Sequence, residues 1–273
     1  MRTIVHLSDL HFGSVLAPTL EPLLTRVHEL APDLVVVSGD LTQRARAQQF
    51  RDAQAYLARL PQPTLVVPGN HDIPLYDVFR RFLAPLGRYR RFVTDDLAPT
   101  FIDDEIAVVG INSARSLTFK GGTLSRRQVA WAADLFRDLR HHQVRVVVTH
   151  HPLDIPEGLS GVSVVKGARH ALQTFAECHV DVLLTGHLHL VHRASASVLV
   201  PGYDAHMLGA GTATSTRARG EPNSFFVFRI DASRGPRSCI MVDTHAWDAA
   251  LNLFHIVDTR DLRRVSTPGA AAR

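Results

Sequence analysis

The chain has 273 residues, 45% of them hydrophobic and 21% charged, which suits one large α/β domain, or a domain with a small lid, and leaves ample volume for a core. A formal charge of +4 without a long basic block favours anionic substrates slightly and shows no clear nucleic-acid surface. No apolar run reaches membrane-spanning length, and two cysteines without a CxxC, Cys178 and Cys239, exclude a disulfide framework and read as small buried apolar groups.

Thr3–Ser8 is a short apolar run that reads as a buried strand, and Asp9-Leu10-His11-Phe12-Gly13 follows it. Because the strand begins almost at once, no signal peptide is expected and a cytoplasmic place is inferred. Thr19–Leu30 predicts a helix, with Thr19 as N-cap, Glu21 in the first turn and Pro32 soon after its end. Leu34–Ser38 is a second strand and delivers Gly39-Asp40. Ala47–Leu60 is an amphipathic helix stopped by Pro61. Thr64–Val67 is a third strand and delivers Gly69-Asn70-His71-Asp72. His11, Asp40 and Asn70 are spaced by roughly 30 residues, the length of a βαβ unit, which predicts a parallel sheet. In such sheets ligands gather beyond the carboxyl ends of the strands.

Pro74–Arg91 is less regular and mixes Arg80, Arg81, Arg88, Arg90 and Arg91 with Phe79, Phe82 and Tyr89. One reading is a cap over the site, spanning 74–100, that attracts a phosphate. The favoured one is a solvated helix whose arginines lay their stems along apolar surface. Thr100–Ile102 and Ile106–Ile111 predict a hairpin turning at Asp103-Asp104, with Asn112-Ser113 at the rim of the site. Ser125–Leu139 reads as a helix N-capped by Ser125, with Trp131, Leu135 and Leu139 on the face toward a sheet. Val144–Thr149 is a strand that delivers His150-His151, and the Gly- and Pro-rich stretch Pro152–Val165 borders the pocket as a loop. Ala168–Cys178 is a helix, and the strand Val182–Thr185 delivers Gly186-His187-Leu188-His189. Val191–Val200, His206–Ala210, Phe225–Ile230 and Cys239–Thr244 read as antiparallel strands completing a second sheet, whose exposed edge would allow a homodimer. Residues 1–263 are expected to form a single domain and 264–273 a disordered tail.

The histidine count of 16 is unusual, and strand ends are where metal chemistry would gather such side chains. Asp9, His11, Asp40, Asn70, His150, His187 and His189 are too many ligands for one ion, since a catalytic zinc typically takes three from the protein. Two ions sharing a carboxylate use the set naturally, and Asp40 is the obvious bridge. The amide of Asn70 and the lack of a thiolate suit Mn²⁺, Fe²⁺ or Zn²⁺. Gly39, Gly69 and Gly186 each precede a ligand at a sharp turn, where positive φ or close approach would require glycine. Asp72 is a candidate orienter of His71, with capping of its own turn the favoured role.

In order along residues 9–189, Asp9-Leu10-His11, Gly39-Asp40, Gly69-Asn70-His71-Asp72, His150 and Gly186-His187-Leu188-His189 resemble the five-block signature of the calcineurin-like metallophosphoesterases. The resemblance implies an α/β fold, a four-layer α/β/β/α sandwich of two mixed β-sheets flanked by helices, with a dimetal centre at one edge. It implies that Asp9, His11, Asp40 and His189 hold the first metal, and Asp40, Asn70, His150 and His187 the second. His71 would be the non-ligand histidine that contacts the scissile phosphate and protonates the leaving group. Asn70 would also face the substrate, and His151 would line the pocket or stand behind the ligands. A hydroxide bridging the metals would attack phosphorus.

The blocks, together with Ala210-Gly211-Thr212-Ala213, Arg217, Arg219, Asn223 and Ser224, are most similar to the bacterial cyclic-nucleotide and glycerophosphodiester phosphodiesterase branch. A small phosphoester is therefore the expected substrate, with Arg217 a candidate contact. The alternatives are a UDP-diacylglucosamine-type pyrophosphatase, whose branch shows Arg where His71 stands, a phosphomonoesterase, or a nuclease. A catalytically inert binding module of the same fold is a further alternative. Such modules usually lose ligands, and here none is missing.

Overall fold

The first three apolar runs are neighbouring parallel strands in the structure, a computed structural model that describes residues 1–118, 120–156, 159, 161–233 and 238–263. These are β1 (Arg2–Leu7), β2 (Leu34–Ser38) and β3 (Thr64–Val67), with Val5 opposite Val35 and Val37 opposite Val66. The crossovers are α1 (Leu20–Leu30) and α2 (Ala47–Leu57), followed by the short helices α3 (Val78–Leu83) and α4 (Gly87–Phe92). A hairpin of β4 (Thr100–Ile102) and β5 (Ile106–Gly110) opens a second series: α5 (Arg126–Arg137), β6 (Val144–Val148), α6 (Ala168–Glu177) and β7 (Val182–Thr185). The chain ends in β8 (His192–Ser195), β9 (His206–Gly209), β10 (Ser224–Asp231), β11 (Cys239–Asp248) and β12 (Leu253–Arg263).

Two mixed six-stranded sheets result, in the orders β12-β11-β10-β1-β2-β3 and β4-β5-β6-β7-β9-β8. Ile4, Val36, Val67 and Phe226 of the first face Val108, Val146 and Leu184 of the second across an apolar inner layer. Leu23 and Val27 of α1 and Phe50 and Ala53 of α2 cover the outer face of the first sheet. Val129 and Phe136 of α5 and Leu172 and Phe175 of α6 cover that of the second, with Cys178 buried in the same layer. The result is the expected four-layer sandwich. Because both faces of each sheet are covered, β2 is buried at every position, which is why it reads as an unbroken apolar run without alternation. Arg145 breaks the run in β6, yet it is buried and donates to the carbonyl of Cys178 at 3.0 Å, at the C-terminal end of α6, where a cation is favoured.

Four expectations are corrected. The late strands do not all complete the second sheet. β10, β11 and β12 extend the first, with β10 antiparallel to β1, whereas β9 runs parallel to β7 in the second. β12 was not expected as a strand, because its outer position leaves Ile256 and Val257 exposed and admits charged residues. On α5 the packed face is Val129, Ala132, Ala133 and Phe136, while Trp131 is 36% exposed and Leu135 and Leu139 only flank the core. Thr19 precedes α1, but its hydroxyl donates back to Leu16 O instead of capping the helix. Ser125 does cap α5, accepting from the Gln128 amide at 3.3 Å. The expected tail 264–273 lies outside the described residues, as do positions 157, 158 and 160 of the Pro152–Val165 loop. Among the described residues no helix is long and apolar enough to cross a membrane.

His6 of β1 gives the fold a pH dependence. It is fully buried, stacked on Phe226, with Nε2 2.8 Å from Ser38 Oγ. Burial, opposed by Asp9, holds its pKa down at about 3 against 6.5 in a free chain. Above pH 6.5 neither state carries the proton; as pH falls from there toward 3, only the unfolded chain takes it up. Stability present in full above pH 6.5 is therefore lost at about 1.4 kcal/mol per unit, or about 2 kcal/mol by pH 5. In urea melts between pH 7.5 and 5, His6→Asn should reduce the slope of stability against pH by about 1.4 kcal/mol per unit relative to the parent.

Candidate metal centre

Every parallel strand that carries a ligand block ends at one edge of the sandwich. Leaving the strand, the chain turns so sharply that Asp9, His11, Asp40, His187 and His189 adopt positive φ of 54°, 50°, 52°, 73° and 58°. This region is uncommon for residues with a Cβ and costs of order 1–3 kcal/mol each, so the surroundings must hold it. They do so through backbone bonds between turns: Asp9 N to Gly39 O at 3.1 Å, His11 N to Asp40 O at 2.9 Å, and Gly186 N to His150 O at 3.0 Å. Gly39 has the positive φ expected of it, at 89°. Gly69 is required for another reason: a Cβ there would lie 2.1 Å from Asp40 Oδ1. Asp72 accepts from the amides of Gly69, Leu41 and Thr42, so it ties its own turn to the turn that carries Asp40.

The ligand atoms form two adjoining clusters. Those of Asp9, His11, Asp40 and His189 lie within 4.8 Å of one another, as do those of His150, His151 and His187. In the first, His11 Nε2 is 3.1 Å from His189 Nε2 and 3.4 Å from Asp9 Oδ1. In the second, His150 Nε2 is 3.1 Å from Asn70 Oδ1 and 3.3 Å from His187 Nδ1. Asp40 belongs to both: Oδ2 is 3.6 Å from His11 Nε2 and Oδ1 is 3.3 Å from His150 Nε2. The rings are aimed by their other nitrogens. His150 Nδ1 donates to Ser38 O at 2.7 Å and His189 Nδ1 to Arg217 O at 3.0 Å, which leaves each Nε2 lone pair directed inward.

Imidazole nitrogens and carboxylate oxygens that converge on one point are what a cation satisfies. Asp9 Oδ1 is buried without a hydrogen-bond partner, while Oδ2 accepts from Ser8 Oγ and the His187 amide. Burial alone would raise the Asp9 pKa, but His189 and His11 bring it well below the usual carboxylate range. Asp40 is likewise lowered: burial opposes the shift, and His150 and His71 overcome it. Burial and then His150 push His187 down to about 3. Against the effect of burial, Asp40 and Asp9 in turn raise His150, to about 9, and His189, so a bound cation would take the place of protons there. Two carboxylates, four imidazoles and an amide oxygen fit divalent Mn, Fe or Zn.

The structure thus brings together all seven expected ligands. His71 stands beside them: its amide donates to Asp40 Oδ1 at 2.8 Å and its Nδ1 to Gln43 O at 2.8 Å. Its Nε2 faces Arg217 Nη1 at 3.0 Å, so Arg217 is at the site as expected. His151 adjoins His150 and His187 in the second cluster, buried, with Nδ1 2.8 Å from Ser113 Oγ, Nε2 without a hydrogen-bond partner and its ring against those of His150 and His187. Asp40, Asn70, His71, His187 and His189 line a cavity of about 130 Å³. No residue of 74–100 is among its described lining. Arg81 donates to Pro74 O and Thr118 O, Arg88 to Ala45 O, and Arg80 pairs with Asp77. Sequence reasoning missed Gln43, Ser8 and Lys120, which carry no local signal because their roles arise only from contacts between distant turns.

Comparison with known proteins agrees with this geometry. A glycerophosphodiester phosphodiesterase of Enterobacter lignolyticus is 30% identical over 173 residues, covering 56% of this chain and 58% of that protein. The 3′,5′-cyclic adenosine monophosphate phosphodiesterase of Escherichia coli is 26% identical over 181 residues, covering 62% and 58%. The match thus spans less than two thirds of either relative. A dimetal phosphatase from Danio rerio shares the fold, with a TM-score of 0.66 at 14% identity over 97% of this chain and 99% of that one. The sequence profile of the calcineurin-like phosphoesterases matches residues 2–191, the span that builds both ligand clusters, and the chain belongs to that family.

Proposed function

We propose that the chain is a two-metal phosphodiesterase acting on small diesters of the cyclic-nucleotide or glycerophosphodiester kind. The observation that carries this is Asp40, whose two oxygens face separate clusters, 3.6 Å from His11 Nε2 and 3.3 Å from His150 Nε2. Asp9, His11, Asp40 and His189 would hold one ion and Asp40, Asn70, His150 and His187 the other. When bound, such a pair supplies an activated water and neutralises charge on phosphoryl oxygens. The protein's part is to orient the ester. Arg217 and His71 Nε2 meet at the cavity, and the guanidinium presents N–H donors to the ester's free oxygens. The bond from His71 Nδ1 to Gln43 O fixes the ring so that only Nε2 can pass a proton to the leaving alkoxide. In the free site Nε2 accepts from Arg217. An anionic ester that draws the guanidinium away frees Nε2 to take up a proton from solvent, which it then hands to the leaving alkoxide. Burial, opposed by Asp40, lowers the His71 pKa and so makes the bound proton easy to release.

The relatives named as phosphodiesterases favour diesters over monoesters. The test is a panel of p-nitrophenyl phosphate, bis(p-nitrophenyl) phosphate, cyclic AMP, glycerophosphocholine and single-stranded DNA, with protein loaded with Mn²⁺, Fe²⁺ or Zn²⁺. Small diesters should be cleaved fastest and a chelator should abolish turnover. Preference for the monoester or for DNA would replace this reading. Binding without turnover under every metal would make the chain an inert module.

A further inference from the structure

The cavity is small and its mouth is cationic. At about 130 Å³ it is well short of the roughly 300–1,000 Å³ that encloses a whole small-molecule ligand. It can grip the scissile phosphoester, while the rest of the substrate must lie along the rim. Three exposed cations stand there, Lys120, Arg217 and Arg219, contributed by two segments far apart in sequence. Among the described residues none of them has a carboxylate partner. Among the described residues the Arg217 side chain is engaged by Gln43 Oε1 at 3.5 Å and His71 Nε2 at 3.0 Å. The sole carboxylate among the described lining residues, Asp40, is turned toward the ligand clusters. Elsewhere some exposed arginines are matched locally, Arg59 with Glu21, Arg80 with Asp77, Arg137 with Asp134 and Arg140 with Asp104, while others, such as Arg46, Arg126 and Arg127, have no carboxylate partner among the described residues. What sets the rim apart is that its three cations surround one cavity.

A diester phosphate brings one negative charge, and Arg217 beside His71 already answers it. Lys120 and Arg219 remain. Concentrating unmatched cations at one rim costs self-repulsion and raises the local concentration of polyanions. We infer that the physiological substrate carries a second anionic group near the scissile phosphoester, and that Lys120 and Arg219 are the residues that select it. This rests on the phosphodiesterase reading and moves its substrate from singly charged diesters such as cyclic AMP to esters that carry a second negative charge. The second charge has two chemical sources, an adjoining phosphate in a diphosphate link or a pendant phosphate monoester.

Binding separates these cases without turnover. Calorimetry on chelator-treated protein would compare the dinucleotide ApA, its 5′-phosphorylated form pApA, and ADP-ribose. At least one doubly charged probe should bind about tenfold tighter than ApA. Preference for ADP-ribose would identify the diphosphate, and preference for pApA the pendant group. In the double variant Lys120→Ala/Arg219→Ala the ratio should fall to near one, with an unchanged melting temperature showing that the fold is intact. Equal affinities for all three probes in the parent protein, or a ratio that survives in the variant, would overturn the inference. Should the metal-loaded protein cleave no diester while the binding ratio holds, the hydrolase reading fails and the anion selection stands.

Discussion

Asp40→Ala should empty the centre of both metals and bring hydrolysis of bis(p-nitrophenyl) phosphate to background. Other ligand substitutions remove one contact from one cluster, but Asp40 contributes an oxygen to each. Its loss also removes one of two buried negative charges from an otherwise neutral donor set, so the remaining imidazoles face cations with little to offset their charge. A further consequence is local. The His71 amide loses its acceptor, 2.8 Å away, and the turn carrying Asn70 and His71 is loosened. Metal content of the purified variant, measured alongside its circular dichroism and turnover, decides the matter. Activity retained in full would refute the bridging role, whereas an unfolded spectrum would call for the milder Asp40→Asn, in which metal content and activity should still fall together.

His71→Ala should behave in the opposite way, keeping both metals while turnover falls by roughly 10²–10⁴-fold if the imidazole is the general acid. The geometry separates His71 from the ligands: its Nδ1 is committed to Gln43 O and its Nε2 to Arg217. A leaving group that needs no protonation offers a sharper comparison. With p-nitrophenolate departing, the deficit should be much smaller than with the alkoxide of glycerophosphocholine. Equal deficits would restrict His71 to binding the phosphoryl oxygens, and loss of metal in the variant would make it a ligand.

The legible part of this chain was the part written locally. A strand buried on both faces has to be a continuous apolar run, so β2 and β7 announce themselves, and the polar residues that follow must lie at their ends. The same logic failed for α5, where small side chains, Ala132 and Ala133, face the sheet and the larger Trp131 does not. Close packing of a helix on a sheet rewards a fit in volume, and hydrophobicity alone mispredicts which face will bury.

By itself the sequence determined the candidate ligand set, the strands along the chain that present it and the glycine at Gly69, because each follows from residue type and short-range spacing. Tertiary structure alone decided that β10 leaves the second sheet to pair with β1, and that the connection before it passes over the site. That crossing sets Arg217 against His71, 146 residues away in the chain, and places Arg219 on the same rim as Lys120. Side-chain periodicity tells a strand which faces it will bury, but its hydrogen-bonding partners are set by which neighbouring edge remains open when the layers close.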